Sequence, residues 1–541
     1  MQSYLSITTT FLDGTYHGRQ DDDVPEWPPS PLRLFQALLR TGAARFKTPL
    51  PDDIQAALTW LAKQQPPLIV ASGTQLGTPY VSYVPNNAMD IVAKCWVRGS
   101  DSSKDAQPST HKASKEICTT YVNSPGSVTY VWSVNDASSP DINNHVERIQ
   151  FLAAQLVAVG WGVDLVAGHA KIISEQELAQ LPGERWEPAA SHSNGLRVAN
   201  EITLQALTTR HQQFMNRLSE SGKQLTPVPV LSPNAYSKIN YRRAWEPAAP
   251  MIAAFEFLNL DTRGWQAFDT LKACKVAGML RHATSQAAEQ AGWDKDRIAT
   301  FILGHAEPHN ESHQPVGRTR FSYVPLPSLQ PKSQNKAALN VGAIRRALLF
   351  VPAGGHSSEI DWVRRSLSGS ELIGTDESID TENKPQAIIS LIRKNDSQVT
   401  RYTKSADTWT TVTPVILPGF DDPKHYRRRI KKGVSAPEQK KLLEKLSNRI
   451  DRLLRNAIQQ AGFSSVLAEH AEIQWRKVGY LPGAGHADRS FVPKHLQKYP
   501  VHHVRIRWRD SGNQPVKIPG PILLGGGRYC GLGLFTNTVI E

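Results

Sequence analysis

The alternation of strand and helix patterns begins twice along this chain, at Tyr4 and again at Met251, and that restart limits the possible folds more than any other feature. Residues 4–11 are rich in threonine, isoleucine and aromatic side chains, the composition of a pleated, half-buried strand. Ser30 is a good helix N-cap and Pro31 suits the first helical position; Leu34, Phe35, Leu38 and Leu39 then recur at helical spacing. A second helix is expected at 54–63 and strands at 68–72, 80–84 and 129–134. A helix at 145–159 and a strand at 161–166 complete this half, and the polar residues 97–126 predict a long surface insertion. After the restart, 251–260 reads as a strand and 265–288 as a long amphipathic helix, with further strands at 301–304, 321–326 and 344–351. The alternation predicts an α+β chain of tandem ferredoxin-like (RRM-like) units with antiparallel sheets, although no sequence repeat accompanies it. The boundary is expected between 185 and 250, giving domains 1–240 and 245–541.

The C-terminal third carries the densest signals. Ser435 and Glu438 form a capping-box pattern ahead of Leu442, Leu446, Ile450, Leu453 and Ala457 on one helical face, and Gly462 fits the stop. The run KHYRRRIKK precedes that helix, with Arg427, Arg428, Arg429, Lys431 and Lys432 around Tyr426. Residues 501–508 alternate as a strand that puts His503, Arg505 and Arg507 on one face. Then comes GPILLGGGRYCGLGLF, residues 520–535, a stretch with six glycines and two apolar runs. Glycine reaches backbone angles closed to other residues and lets another backbone come close. No Gly-Lys-Ser/Thr follows, so this is not a P-loop, and no helical pattern follows that would make a dinucleotide-binding unit. Two readings stand: a tight hairpin between strands, or a phosphate-cradling loop.

Composition narrows the partner. The 541 residues hold 62 Lys and Arg against 49 Asp and Glu, a formal charge of +13 that favours a polyanion. No apolar run has the length of a membrane span, and the opening MQSYLSITTTF reads as a strand and not as a secretion signal. Cys95, Cys118, Cys274 and Cys530 lie far apart, which argues against a disulfide framework or zinc knuckle. A cytoplasmic protein is expected, with no membrane partner, no cofactor and no metal; the consecutive Asp21 to Asp23 are most simply a solvated turn.

FLDGTYHGR followed by EWPPSPLRLFQALLR resembles the start of a CRISPR-associated subunit of type I-G (formerly I-U), in which a crRNA 5′-handle-binding backbone subunit is fused to the repeat endoribonuclease. VGWGVDLVAGHA, LRVANEITLQAL, FSYVPLP and VPKHLQKYPVHHVRIRW match the same family, and the glycine segment resembles the glycine-rich loop of the RAMP superfamily of repeat-associated RNA-binding proteins. The resemblance implies that residues 1–240 hold the 5′ handle and that 245–541 cleave precursor crRNA within repeats, without metal, by 2′-hydroxyl attack. It implies as partners crRNA, precursor crRNA and the other subunits of a type I surveillance complex (Cascade) that serves antiviral defence. The glycines Gly525, Gly526, Gly527, Gly531 and Gly533 would then admit RNA phosphate, with Arg528 supplying charge and Tyr529 a stacking face, and Arg427, Arg428, Arg429, Lys431, Lys432, Arg505 and Arg507 are expected to contact RNA as well.

Histidine suits such chemistry because its pKa lies near working pH. His305 follows an apparent strand and Gly304, and His282 stands beside Arg281 near the end of the expected helix; these are the two catalytic candidates. His305, His309 and His313 recur every four residues, but Gly304, Pro308 and Pro315 favour a loop over a metal-binding helix face. Strand packing or RNA contact is expected of His495, His502 and His503, and packing of Trp27. The alternative to an enzyme is a non-catalytic RNA-binding scaffold subunit of the same complex.

Overall fold

The computed structural model describes residues 2–20, 24–46, 49–85, 89–134, 139–189, 194–217, 226, 228–304, 320–332, 335–351, 357–375, 383–393 and 395–537. The chain separates into two compact units, Met1–Ala244 and Trp245–Glu541. It is a mixed α+β protein built on antiparallel sheets.

Unit 1 opens with β1 (Ser3–Phe11), α1 (Pro31–Phe46) and α2 (Asp52–Ala62), then β2 (Leu68–Ala71), β3 (Ser127–Val134), α3 (Pro140–Ala153) and β4 (Val166–Ser174). The strands run in the order β4-β1-β3-β2, each antiparallel to its neighbour, which is the split β-α-β arrangement of a ferredoxin-like unit. The helices cover one face of the sheet: Leu34, Phe35 and Leu38 of α1, Leu58 of α2 and Ile149 and Leu152 of α3 join Leu5, Ile7 and Tyr130 in one core. Three more strands, β5 (Glu184–Ala189), β6 (Asn194–Val198) and β7 (Ser237–Arg243), extend the sheet past β2 in the order β2-β5-β7-β6, with α4 (Thr203–Met215) between β6 and β7. The insertion at 97–126 is partly ordered as strand, since Lys112–Ile117 pairs with Tyr80–Pro85 in a two-stranded antiparallel sheet.

Unit 2 contains the arrangement twice. β8 (Met251–Leu258), α5 (Ala273–Gln290), β9 (Ser322–Lys332), β10 (Asn335–Val351), α6 (Ser357–Ser366), β11 (Glu371–Thr375) and β12 (Asn383–Leu391) give the order β11-β12-β8-β10-β9. After α7 (Ser397–Thr403) come β13 (Thr408–Thr411), β14 (Val415–Ile416), α8 (Tyr426–Lys431), α9 (Ala436–Gln460), β15 (Glu472–Arg476), β16 (Val501–Arg507) and β17 (Phe535–Asn537). β13 and β14 both pair with one side of β16, β15 pairs with its other side, and β17 pairs with β13. The order β17-β13-β16-β15 is a second ferredoxin-like sheet in this unit, in which the glycine segment stands where the second helix would be. α9 packs across it through Ile450, Leu453, Leu454 and Ile458 against Trp409, Val504, Ile506 and Phe535. Each such fully buried aliphatic side chain contributes about 1.5–3 kcal/mol relative to exposure.

Several expected elements differ. The expected helix at 145–159 ends at Ala153, and the expected strand at 161–166 is a turn held by Asp164, whose carboxylate accepts from the Trp161 and His17 amides; the strand starts at Val166. The expected helix at 265–288 begins only at Ala273. Residues 301–304 are not a strand: Ile298–Leu303 is a helical turn that ends on Gly304 at φ 74°. The capping box does not form, because Ser435 makes no side-chain cap bond and Glu438 accepts from Arg429 Nη2 at 2.7 Å instead. Among the described residues no helix is long and apolar enough to cross a membrane.

Candidate nucleic-acid interface

The glycine segment is an antiparallel hairpin and a shaped loop at once. Leu523 bridges Leu534, Leu524 N–H donates to Gly533 O at 3.0 Å and Phe535 N–H to Ile522 O at 3.0 Å. At the tip, Arg528–Cys530 makes a single 3-10 turn. Three glycines, Gly525, Gly531 and Gly533, have left-handed backbone, and two of them lie directly against a carbonyl. Gly525 (φ 88°) lies against the Ile416 carbonyl and Gly533 (φ 67°) against the Leu524 carbonyl, and a Cβ at either would collide with backbone. The Gly526 and Gly533 amides donate to Ile416 O and Pro414 O at 3.0 and 2.9 Å. Gly525, Gly527, Gly531 and Gly533 are buried, while Gly526 is exposed and Arg528 and Tyr529 are half-buried at the rim.

Around that tip the fold gathers cations and rings from separate parts of the sequence. Arg528 and Arg320 both stack on Tyr529, with guanidinium carbons 4.7 and 3.5 Å from the ring centroid. Arg281 of α5 acts with Arg320 on Cys530, whose thiol is held below its ordinary pKa chiefly by a hydrogen bond with Cys274 and, less, by these two charges. The segment before β16 joins the same neighbourhood: Leu496 and Tyr499 pack with Ile416, Leu532 and Cys530, and Lys275 of α5 sits 5.7 Å from the centre of the exposed Phe491 ring. Sequence reasoning named Arg528, Tyr529 and the glycines but missed Arg320 as a partner. The only signal for it was an arginine immediately ahead of FSYVPLP.

The basic run forms α8, ahead of α9. Arg427 is tied to Asp421 at 2.6 Å and Arg429 to Glu438 at 2.7 Å, whereas Arg428, Lys431 and Lys432 are exposed and without an ionic partner among the described residues. The two bridges are surface pairs, a class worth about 0–1 kcal/mol each. Asp421 is held below the ordinary carboxylate range, its partial burial being outweighed by the hydrogen bond and charge of Arg427.

The strand β16 alternates as its sequence predicts, and the face carrying Arg505 and Arg507 continues into β15, where Gln474 stands opposite Arg505 and Glu472 opposite Arg507. Arg505 and Arg476 both stack on Tyr480, at 4.7 and 4.0 Å from its centroid. Arg507 meets Glu472 at 3.6 Å. His503 shares this face but is fully buried, its Nδ1 3.1 Å from Thr411 Oγ1, and His502 is buried on the other side. Burial pushes both imidazoles down to about 4.

Of the two catalytic candidates, His305 lies outside the described residues, as do His309 and His313. His282 is in the middle of α5, eight residues before its end, and exposed; among the described residues no side chain hydrogen-bonds to it. No three His, Cys, Asp or Glu side chains converge as a metal cluster among the described residues. Trp27 packs against Phe11 and Tyr16 and donates to Ser72 O at 3.2 Å.

The family model described as "CRISPR-associated protein, GSU0054 family" matches residues 4–537. No curated protein matches the chain.

Proposed function

The chain belongs to the GSU0054 family of CRISPR-associated proteins, and on that footing we propose that it is the type I-G fusion subunit that binds crRNA, cleaves its precursor within repeats and stays in the surveillance complex. In this reading unit 1 holds the 5′ handle and unit 2 cuts. The observation that carries it is the hairpin tip: a half-exposed tyrosine set between two arginines, on a loop whose glycines let the backbone fold this tightly, next to a third arginine on α5. Stacking rings interleaved with cations are what a single-stranded RNA needs, since every base has a face to stack and every link a charge to neutralise.

Cleavage requires little. A base takes the proton from a 2′-hydroxyl, the 2′-oxygen bonds to the adjacent phosphorus, and the bond to the 5′-oxygen breaks as an acid protonates that oxygen. The products are a 2′,3′-cyclic phosphate upstream and a 5′-hydroxyl downstream. Arginines near the phosphate offset the charge that develops on it. His282 and His305 are the proposed acid–base groups, acting at working pH. That His282 has no orienting partner among the described residues favours a second reading, a scaffold subunit that binds without cutting.

One assay separates them. Purified chain is incubated with repeat RNA of its own locus in EDTA and the ends are characterised. Cyclic phosphate on the upstream fragment is expected. His282→Ala or His305→Ala at the true residue should slow cutting by about 10²–10⁴-fold with RNA affinity nearly intact. If both single variants and the double variant cut like the parent, the histidine assignment is wrong; if the parent never cuts, the scaffold reading stands.

A further inference from the structure

Unit 2 holds a pair of thiols that RNA cleavage does not use. Cys274 is the second residue of α5 and is buried; Cys530 closes the 3-10 turn at the hairpin tip and is half-buried. Both are free thiols, more than 250 residues apart in the chain. The fold packs them together. Cys530 lies against a cluster that contains Cys274, Ile416 and Leu532, and the two side chains hydrogen-bond to each other. α5 belongs to the core under the first ferredoxin-like sheet of this unit, through Val276, Ala277 and Leu280, whereas Ile522 and Leu524 of the hairpin belong to the core of the second. The thiol pair therefore bridges two sheets.

The two sulfurs have different surroundings. The hydrogen bond from Cys274 holds the Cys530 thiol below its ordinary pKa, and the charges of Arg281 and Arg320 act in the same direction. The same bond, together with burial, pushes the Cys274 thiol up. The shared proton thus stays on Cys274 when Cys530 ionises. When it is protonated, Cys530 donates to Gly527 O at 3.2 Å. Oxidants are attacked by thiolates and not by thiols, and reactive cysteines are partly exposed and flanked by cations. Cys530 meets that description; Cys274, buried and proton-bearing, does not. A low-pKa, accessible cysteine beside a second thiol is the arrangement of a redox-sensing pair. Cys95 and Cys118 of unit 1 are in the same exposure class as Cys530, so exposure alone would not single it out.

We propose that Cys530 is a peroxide-sensitive modification site with Cys274 as its resolving thiol, the two closing to a reversible disulfide that ties the hairpin tip to α5. The Cys530 sulfur bonds to one oxygen of hydrogen peroxide and the O–O bond breaks. The departing hydroxide takes up the proton that Cys530 gave away, leaving a sulfenic acid and one water. The Cys274 sulfur then attacks the Cys530 sulfur and the S–O bond breaks. The leaving hydroxide takes the Cys274 proton and becomes the second water. Two thiols and one peroxide give one disulfide and two waters; each sulfur is oxidised by one electron and the peroxide is reduced by two. An added dithiol undoes the bond by exchange. The bridge would close a loop of more than 250 residues, and the constraint on the unfolded chain grows with loop length. The inference does not depend on what the hairpin binds.

The reduced full chain is titrated with hydrogen peroxide, quenched with catalase and alkylated with iodoacetamide, and its intact mass and non-reduced peptide map are read. At low doses the chain should lose the mass of two hydrogens and yield a linked peptide pair containing Cys274 and Cys530. Cys95 and Cys118 should still be alkylated at those doses, and dithiothreitol should restore all four thiols. Cys274→Ala should stop at a sulfenic acid on Cys530, which dimedone traps. Cys530→Ala should raise the peroxide dose needed to modify Cys274 about tenfold or more. The oxidised parent should melt roughly 4–10 °C above the reduced parent, a shift absent from both variants. Oxidation of Cys95 or Cys118 ahead of Cys530, a Cys274→Ala chain with no dimedone adduct on Cys530, or a linked chain that melts no higher than the reduced one overturns the proposal. If either variant fails to fold, the parental peptide map and melting shift decide the matter without it.

Discussion

Arg320 lies over the ring of Tyr529 with its guanidinium carbon 3.5 Å from the centroid, and its Nη1 donates to the Gly304 carbonyl at 3.0 Å. One arginine thus joins the glycine hairpin to the end of a helical turn and the start of β9. A cation–π contact of this kind contributes about 0.5–1 kcal/mol at a partly exposed site. Tyr529→Ala should therefore shift the thermal midpoint by only a few degrees. It should weaken repeat-RNA binding about fivefold or more, because the base loses its platform. Tyr529→Phe should keep both properties; filter binding and differential scanning fluorimetry read the two effects separately. Equal RNA affinity in Tyr529→Ala would remove the tip from the interface.

The basic helix α8 divides into committed and available charges. Replacing Arg428, Lys431 and Lys432 together by alanine should lower the slope of log affinity against log salt by about 2, given ~0.7 per phosphate contact on single strands. Arg427→Ala should change the slope far less, since its guanidinium is already on Asp421. The measurement is RNA affinity from 50 to 300 mM salt, and equal slopes for the triple variant and the parent would exclude α8 as a phosphate contact.

The glycines of the hairpin should not be equivalent. Gly533→Ala puts a Cβ at φ 67° into the Leu524 carbonyl, whereas Gly526 is exposed with ordinary backbone and 3.4 Å of room to Leu496. The first change should lower the thermal midpoint by roughly 5–10 °C, counting about 1–2 kcal/mol for the left-handed backbone plus the collision. The second should leave it within about 2 °C. A Gly526→Ala variant as unstable as Gly533→Ala would mean that the loop is held otherwise.

Acid should loosen unit 2 before the carboxylates titrate. His502 and His503 are held at about 4 by burial, below the 6.5 of a free imidazole. Between pH 6.5 and about 4 the unfolded chain binds protons that the folded chain refuses, so stability is full above pH 6.5 and falls as pH is lowered. Each group can account for about 3 kcal/mol of that loss. The urea midpoint should drop steeply from pH 6.5 to 4.5, and less steeply in His502→Leu. A flat midpoint over that interval would show that both imidazoles take up protons in place.

Local patterns carried much of the fold. Pro31 with four apolar residues at helical spacing placed α1, and the β-branched run after Tyr4 placed β1. What the sequence could not convey was long-range pairing. β13 and β14 are four and two residues long and acquire strand geometry only from β16 and β17, over 80 residues downstream, so the third ferredoxin-like sheet escaped notice. Ser435 and Glu438 had the right spacing for a capping box, but Arg429 supplied a competing charge from the preceding helix. At the candidate interface the hairpin was visible from its glycines. Its cation–aromatic stack was not, because Arg320 and Tyr529 lie more than 200 residues apart.

The pairing of β17 with β13 also sets a timetable. Residues 408–411 wait, as the chain is made, for a partner at 535–537. Unit 1 has all its strands by Arg243 and can fold while the remainder is still being synthesised, as N-terminal domains generally do. The glycine hairpin cannot be assembled until translation has passed Asn537. A chain whose synthesis stops before that point therefore carries a finished first unit and no glycine hairpin.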